Sequence, residues 1–295
     1  MPLRYDPALV SGLCREIGSR WTGRRVDGLH LNRHTREAWI VFAAGPHEEE
    51  VIGFLLHPSR GFIVSGAGPR SVIEGSERRI DFRRLFLTAV WSPDDERLLV
   101  FDLAGGRAQD TPGQAQSEIP PVYRLFVELH TNQWNVVLAR GTDDRVEAVL
   151  WSRAAGGRSL RPGARYARPE GARNWAAGMP SGTEWVRLLE SVPPEGRREV
   201  LLRSAAWTSS LNVDWILGEA SRIGASAESD PEGPVARAYE RYSRIRDVGA
   251  REAWLLARGT VAQPYPVRLD AGARQVGSLM EAMHVAAAES SAWPR

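Results

Sequence analysis

The sequence predicts an α+β protein: an antiparallel, β-rich N-terminal domain, then a helical second subdomain, then return strands and a closing helix. Three observations carry this. Apolar residues fall at helical spacing over residues 6–19; from about residue 26 to 151 they come in short runs parted by turn residues; and beyond Pro162-Gly163 strand character fades and helical spacing takes over. The expected divisions are 1–175, 176–250 and 251–295.

Asp6 and Pro7 predict the start of an amphipathic helix that buries Leu9, Val10, Leu13, Cys14 and Ile17, with Gly23 past its end. Strands are expected over 26–30, 38–42, 51–56 and 61–64 as a meander. A short helical stretch is expected near Asp81–Phe86, followed by strands around 87–91, 97–103, 122–130, 135–140 and 146–151. Ala104 to Pro121, rich in Gly and Pro, is expected to be a long exposed loop, and Gly171 to Gly182 a linker. Helices are expected over 183–191, 196–206, 211–223 and 235–246. Strands return at 253–257 and 264–269, and a helix over 273–288 closes the chain.

With 295 residues, 43% of them hydrophobic, the chain can bury a sizeable core. No apolar run approaches the roughly 20 residues that cross a bilayer. Cys14 is the single cysteine, so an internal disulfide is excluded, and Met1-Pro2-Leu3-Arg4-Tyr5-Asp6 lacks a signal-peptide core. A cytoplasmic location and no membrane partner are therefore expected. All 38 basic residues are arginine. Without lysine there is no P-loop, no pyridoxal Schiff base and no kinase-type lysine. Six scattered histidines and one cysteine suggest no metal site, and neither a nucleophile elbow nor a dinucleotide fingerprint is complete. No cofactor and no catalytic residue is expected.

Net charge is only +2, so nucleic-acid binding has to rest on local clusters. Arg24, Arg25 and Arg33 form one group, Arg78, Arg79, Arg83 and Arg84 a second, and Arg153, Arg158, Arg161, Arg165, Arg168 and Arg173 a third. Arginine suits this role because its planar fork pairs with phosphates and base edges. Trp91 and Trp134, in or beside expected strands, are candidates for base stacking.

Four segments carry a resemblance. Tyr5-Asp6 precedes an amphipathic helix and Trp21-Thr22-Gly23-Arg24-Arg25-Val26 enters a strand. Leu85 to Trp91 leads through Ser92-Pro93-Asp94-Asp95 to Glu96-Arg97 and an apolar strand. Val127-Glu128-Leu129 stands five residues before Asn135-Val136-Val137-Leu138. The last is Arg158-Ser159-Leu160-Arg161-Pro162-Gly163-Ala164-Arg165-Tyr166-Ala167-Arg168-Pro169. In this order they resemble the N-terminal domain of the NFACT family, the fibronectin-binding-protein-A-like ribosome quality-control factors, over residues 1–175. Residues 176–250 look like that family's helix-hairpin-helix segment. The departures are Glu96 for the family's Asp, Thr131 and Asn132 at its Gly and basic positions, and Trp134 for its usual serine. The chain ends near where the family begins a coiled coil, as a fragment or a reduced relative would.

The resemblance implies a fold like the N-terminal domain of formamidopyrimidine-type DNA glycosylases and a non-catalytic role: binding tRNA and the large ribosomal subunit in ribosome-associated quality control. The residues it points to for RNA contact are Arg97, Glu96, Arg83, Arg84, Asn135 and Trp91. Two alternatives stand beside it. One is a protein-interaction module without nucleic acid. The other is a glycosylase-like DNA binder, which would need Pro2 as an N-terminal nucleophile, yet Leu3 occupies the position of the glycosylases' catalytic glutamate and no zinc finger can form.

Overall fold

The computed structural model describes residues 3–43, 49–57, 60–67, 75–106, 120–130, 134–155, 157–169, 180–218, 233–247, 252–258 and 261–290. Helix α1 (Pro7–Trp21) begins where Asp6, in extended conformation, accepts from the Leu9 backbone N–H. Its apolar stripe, including Leu9, Leu13, Ile17 and Trp21, is buried.

Strands β1 (Arg25–Asn32), β2 (Glu37–Ala43), β3 (Glu49–His57) and β4 (Arg60–Ala67) form the expected meander. β5 (Arg78–Trp91) then returns to the free side of β1. β6 (Leu98–Gly105), β7 (Tyr123–Glu128), β8 (Asn135–Arg140) and β9 (Val146–Val149) add on in sequence. The result is one antiparallel nine-stranded sheet in the order β4-β3-β2-β1-β5-β6-β7-β8-β9.

The helical stretch expected near Asp81–Phe86 is instead the middle of β5. The strand is bulged against both neighbours and Arg84 sits in the left-handed region at φ 59°. A bulge moves the following side chains to the other face, which breaks the period-two pattern that marks a strand in sequence.

The sheet rolls over on itself. Phe54 of β3 meets Phe101 of β6 edge-on at 5.7 Å, although three strands lie between them in the sheet. Trp134, at the start of β8, lies so close over Gly61 of β4 that a β-carbon there would overlap its ring. The Tyr5 hydroxyl donates to the Gly61 carbonyl at 3.0 Å from the same side. Leaving glycine at 61 is what lets these two distant strands touch.

The main core lies inside this roll. A second, smaller core lies on the other face of β6–β9, where Leu98, Val100, Phe126 and Val137 are covered by Leu160 and Tyr166. The cover is a short hairpin, β10 (Arg153–Ala155) and β11 (Arg158–Leu160), with the segment that follows. Tyr166 stacks on Phe126 at 3.9 Å.

The helical region holds α2 (Gly182–Glu190), a 3-10 turn (Pro194–Gly196), α3 (Arg197–Ser204), α4 (Val213–Leu217) and α5 (Gly233–Arg246). α2 starts in a Ser181/Glu184 capping box, and its Trp185 stacks on Tyr242 of α5 at 4.7 Å. α4 is shorter than the expected 211–223 because Gly218, at φ 90°, ends it in a left-handed cap.

β12 (Ala253–Arg258), β13 (Val261–Tyr265) and β14 (Arg274–Val276) make a separate three-stranded sheet, and α6 (Leu279–Glu289) closes the chain. The closing helix starts later than expected, since Ser278 caps it and residues 274–276 pair with β12. The Glu16 carboxylate of α1 accepts from the first α6 amides, Leu279 N–H at 2.7 Å and Met280 N–H at 3.1 Å. His284 Nε2 accepts from the Ser65 N–H of edge strand β4 at 2.9 Å. The main core draws on all three regions of the chain. Among the described residues no helix is long and apolar enough to cross a membrane.

Candidate nucleic-acid interface

The turn from β5 to β6 carries Glu96 and Arg97, and backbone contacts fix it on two sides. The Arg97 carbonyl accepts from Leu129 N–H at 2.8 Å, which ties the turn to the end of β7. Asp95, left-handed at φ 55°, accepts from Trp207 N–H at 2.6 Å, which ties it to the helical region. Both Glu96 and Arg97 are half-buried.

The neighbouring His130 is largely buried, and its Nε2 lies 3.9 Å from the Glu96 carboxylate. Burial and then the guanidinium charges of Arg97, Arg158 and Arg153 push its pKa down to about 4. Beside it, Glu128 is 1% exposed and accepts from Arg158 and, at 3.0 Å, from the Tyr166 hydroxyl. Burial, with Glu128 next to it, holds the Tyr166 phenol well above its usual range. Three segments far apart in sequence therefore converge: Glu96-Arg97, Glu128 to His130, and Arg153 to Tyr166. The folding that brings them together is the closure of the small core, since Leu98, Phe126 and Tyr166 all belong to it.

Chemically, this cluster is biased toward anions. Its carboxylates are partly committed to holding the arginines in place, and its histidine is kept neutral. Folded His130 loses its proton near pH 4 where the unfolded chain loses it near 6.5, so its stabilisation is complete above pH 6.5 and is lost as pH falls through 4. Acidification should cost about 3 kcal/mol through this residue. Urea denaturation from pH 7 to 4 is expected to show a flatter profile for His130→Gln than for the wild type. Parallel profiles would mean that the imidazole is not held neutral.

Asp6 stands behind the cluster and is buried. Besides Leu9 N–H, it accepts from the Ser209 hydroxyl at 2.6 Å, the Tyr265 hydroxyl at 2.8 Å and the Asn212 amide at 3.5 Å. Burial raises its carboxyl pKa on balance, against the lowering by the Ser209 hydroxyl, the Leu9 N–H, the Tyr265 hydroxyl and the charge of Arg97. One carboxylate thus joins the first helix, the helical region and the return sheet beside Arg97.

The structure sorts the six expected contact residues into three places. Glu96 and Arg97 are in the cluster. Trp91 is at its margin but differently employed: its ring packs on the small core, its Nε1 donates to Asp102 at 2.9 Å, and the Arg168 guanidinium lies 5.9 Å from the ring centroid. It supports an arginine rather than offering a bare face for a base.

Asn135 is 1% exposed. Its amide donates to the Trp151 carbonyl and accepts from the Val136 and Trp151 N–H groups, stitching β8 to the chain after β9. As a contact residue it is therefore corrected to an internal one. Arg83 and Arg84 are exposed on β5, Arg84 seven residues before Trp91 and roughly 20 Å along the strand. Among the described residues neither makes an ion pair.

Arg153 and Arg158 stand out in the sequence only as members of an arginine group, and Glu128, His130 and Tyr166 do not stand out there as site residues. The available signal was Glu128 inside an apolar strand, a charge that needs a buried partner. Among the described residues no group of three or more His, Cys, Asp or Glu is placed to hold a metal ion. Pro2 and Arg173 lie outside the described residues.

No protein-family model matches the chain, and no curated protein matches it by sequence. Solved structures match it in fold. The N-terminal part of the fibronectin/fibrinogen-binding protein from Streptococcus suis superposes with a TM-score of 0.65 at 11% identity, covering 95% of this chain and 98% of that one. The fibrinogen binding protein from Staphylococcus aureus gives 0.64 at 12% identity, covering 94% and 97%. Along nearly its whole length, then, this chain has the fold of those binding proteins' solved regions.

Proposed function

We propose that this protein is a non-catalytic RNA-binding factor of the NFACT type, contacting tRNA and the large ribosomal subunit in cytoplasmic ribosome-associated quality control. The observation that carries the reading is the convergence of Glu96-Arg97, Glu128 and Arg158-Tyr166 around His130. These belong to three of the segments that resemble the family, and a shared site gives a physical reason for them to occur together. The fold shared with fibronectin/fibrinogen-binding proteins fits the fibronectin-binding-protein-A-like character of that resemblance.

In this reading Arg97 forks onto a phosphate or a base edge while Glu96 orients it or accepts from a base amine. Co-sedimentation with large ribosomal subunits plus tRNA at two salt concentrations tests it, because phosphate contacts release counterions and weaken with salt. Arg97→Ala is expected to weaken association about tenfold with a melting temperature close to wild type. Unchanged affinity would reject the site.

A second reading, a protein-interaction module, draws on what the solved neighbours are described as binding and on the small net charge of +2. Salt-insensitive capture of a protein partner, with no association with the subunit, would favour it.

A further inference from the structure

Beyond the Arg97 cluster, the segment that covers the small core places a second set of arginines on the surface. Arg161 to Ala164 make a turn closed by Ala164 N–H to Arg161 carbonyl at 3.1 Å, with Pro162 and a left-handed Gly163 (φ 83°) at its centre. The turn fixes the directions of the flanking Arg161 and Arg165.

Arg165 forms an antiparallel bridge with Arg145, at the start of β9. The flanking bonds run from Val146 N–H to Ala164 carbonyl and from Tyr166 N–H to Asp144 carbonyl. The two arginines therefore occupy a non-hydrogen-bonded pair, the closest cross-strand spacing, about 4.5 Å between α-carbons. Like charges directly opposite each other at that spacing destabilise the pairing.

The local acids do little to offset this. Asp143 reaches Arg145 only at 3.8 Å, Asp144 is engaged by Arg124, and Glu147 by Arg140. Among the described residues Arg161 and Arg165 make no ion pair, and both are exposed. Arg168, seated over Trp91, extends the row toward the turn that bears Arg97. Nothing in the small core requires the Arg145–Arg165 pair, and its repulsion is relieved by an anion.

We propose that Arg145, Arg161, Arg165 and Arg168 form a track for the phosphodiester backbone of an RNA strand that leads into the Arg97 cluster. The proposal rests on the RNA-binding reading above and adds a sequence-independent contact surface to it. Guanidiniums grip such a backbone bidentately, and several arginines on one exposed segment suit its repeating phosphates better than they suit the scattered carboxylates of an acidic protein.

The test is binding of a fluorescein-labelled oligouridylate across a salt series to wild type, Arg97→Ala and the double variant Arg161→Ala/Arg165→Ala. Each lost contact to a single strand should lower the slope of log affinity against log salt by about 0.7, so the double variant is expected to lose about 1.4 and to bind about tenfold more weakly. Its melting temperature should equal or exceed that of wild type, because a repulsive pair is gone. An unchanged slope in the double variant overturns the track, whatever Arg97→Ala does. Loss of slope in the double variant with no effect of Arg97→Ala keeps the track and removes the cluster reading. A wild type that does not bind the RNA overturns both.

Discussion

Replacing Glu128 by alanine is expected to lower the unfolding free energy by about 3–5 kcal/mol. The carboxylate is 1% exposed and its main partner, Arg158, has a side chain only 14% exposed, so removing the acid leaves a charge inside the protein without its counter-ion. It also leaves the Tyr166 hydroxyl without an acceptor, on a ring that is stacked on Phe126. The small core should loosen first. The energy lost is that of the orphaned charge rather than the worth of the pair, so Glu128→Leu combined with Arg158→Met should recover most of it. Urea unfolding of the singles and the double gives the coupling directly. A single-variant cost below about 1 kcal/mol would show that Arg158 swings into solvent and that the pair does not hold the site together.

Asp6→Ala is the other large effect, about 4 kcal/mol. Loss of a helix N-cap accounts for about 1 kcal/mol. The rest comes from the half-buried Ser209 hydroxyl and the buried Tyr265 hydroxyl, which lose their common acceptor at about 1–3 kcal/mol each, softened by relaxation, while the Asn212 amide keeps the Trp207 carbonyl. Asp6→Asn keeps one acceptor oxygen and should fall roughly halfway. Thermal unfolding distinguishes this account from simple capping: a loss confined to about 1 kcal/mol would mean that the three regions are held together by packing alone.

Much of the architecture was legible in the residues themselves. The meander of β1 to β4 is written as short apolar runs parted by turn residues, and Asp6-Pro7 and Ser181 with Glu184 announce helix starts through chemistry that acts within three residues. What was not legible depends on partners distant in the chain. β5 looked helical because its bulges displace the apolar face, and β10, β11 and β14 are three residues each, too short for any period to register.

The site divides the same way. Glu96-Arg97 stood out as a charged pair in a turn before an apolar strand, but the three guanidiniums around His130 exist only once β6, β7 and the β10–β11 hairpin are stacked. Asn135 misled because a polar residue entering an apolar strand looks the same whether it faces a ligand or ties down the Trp151 backbone. The face of Trp91 could not be judged before Arg168 was seen above it.

The contacts of α6 bear on how this chain is made. Strands β1 to β9 pair mostly with their neighbours in sequence and can assemble as they leave the ribosome, whereas the histidine that receives the outward amide of β4 is synthesised 219 residues after it. At about 5–20 residues per second, the edge strand waits some tens of seconds for its cover. Until residue 289 has emerged, β4 presents an open strand edge and α1 an unpaired apolar flank, the surfaces through which nascent chains associate wrongly. A copy of this protein halted a few dozen codons early would therefore be an almost complete sheet with its seam unsealed.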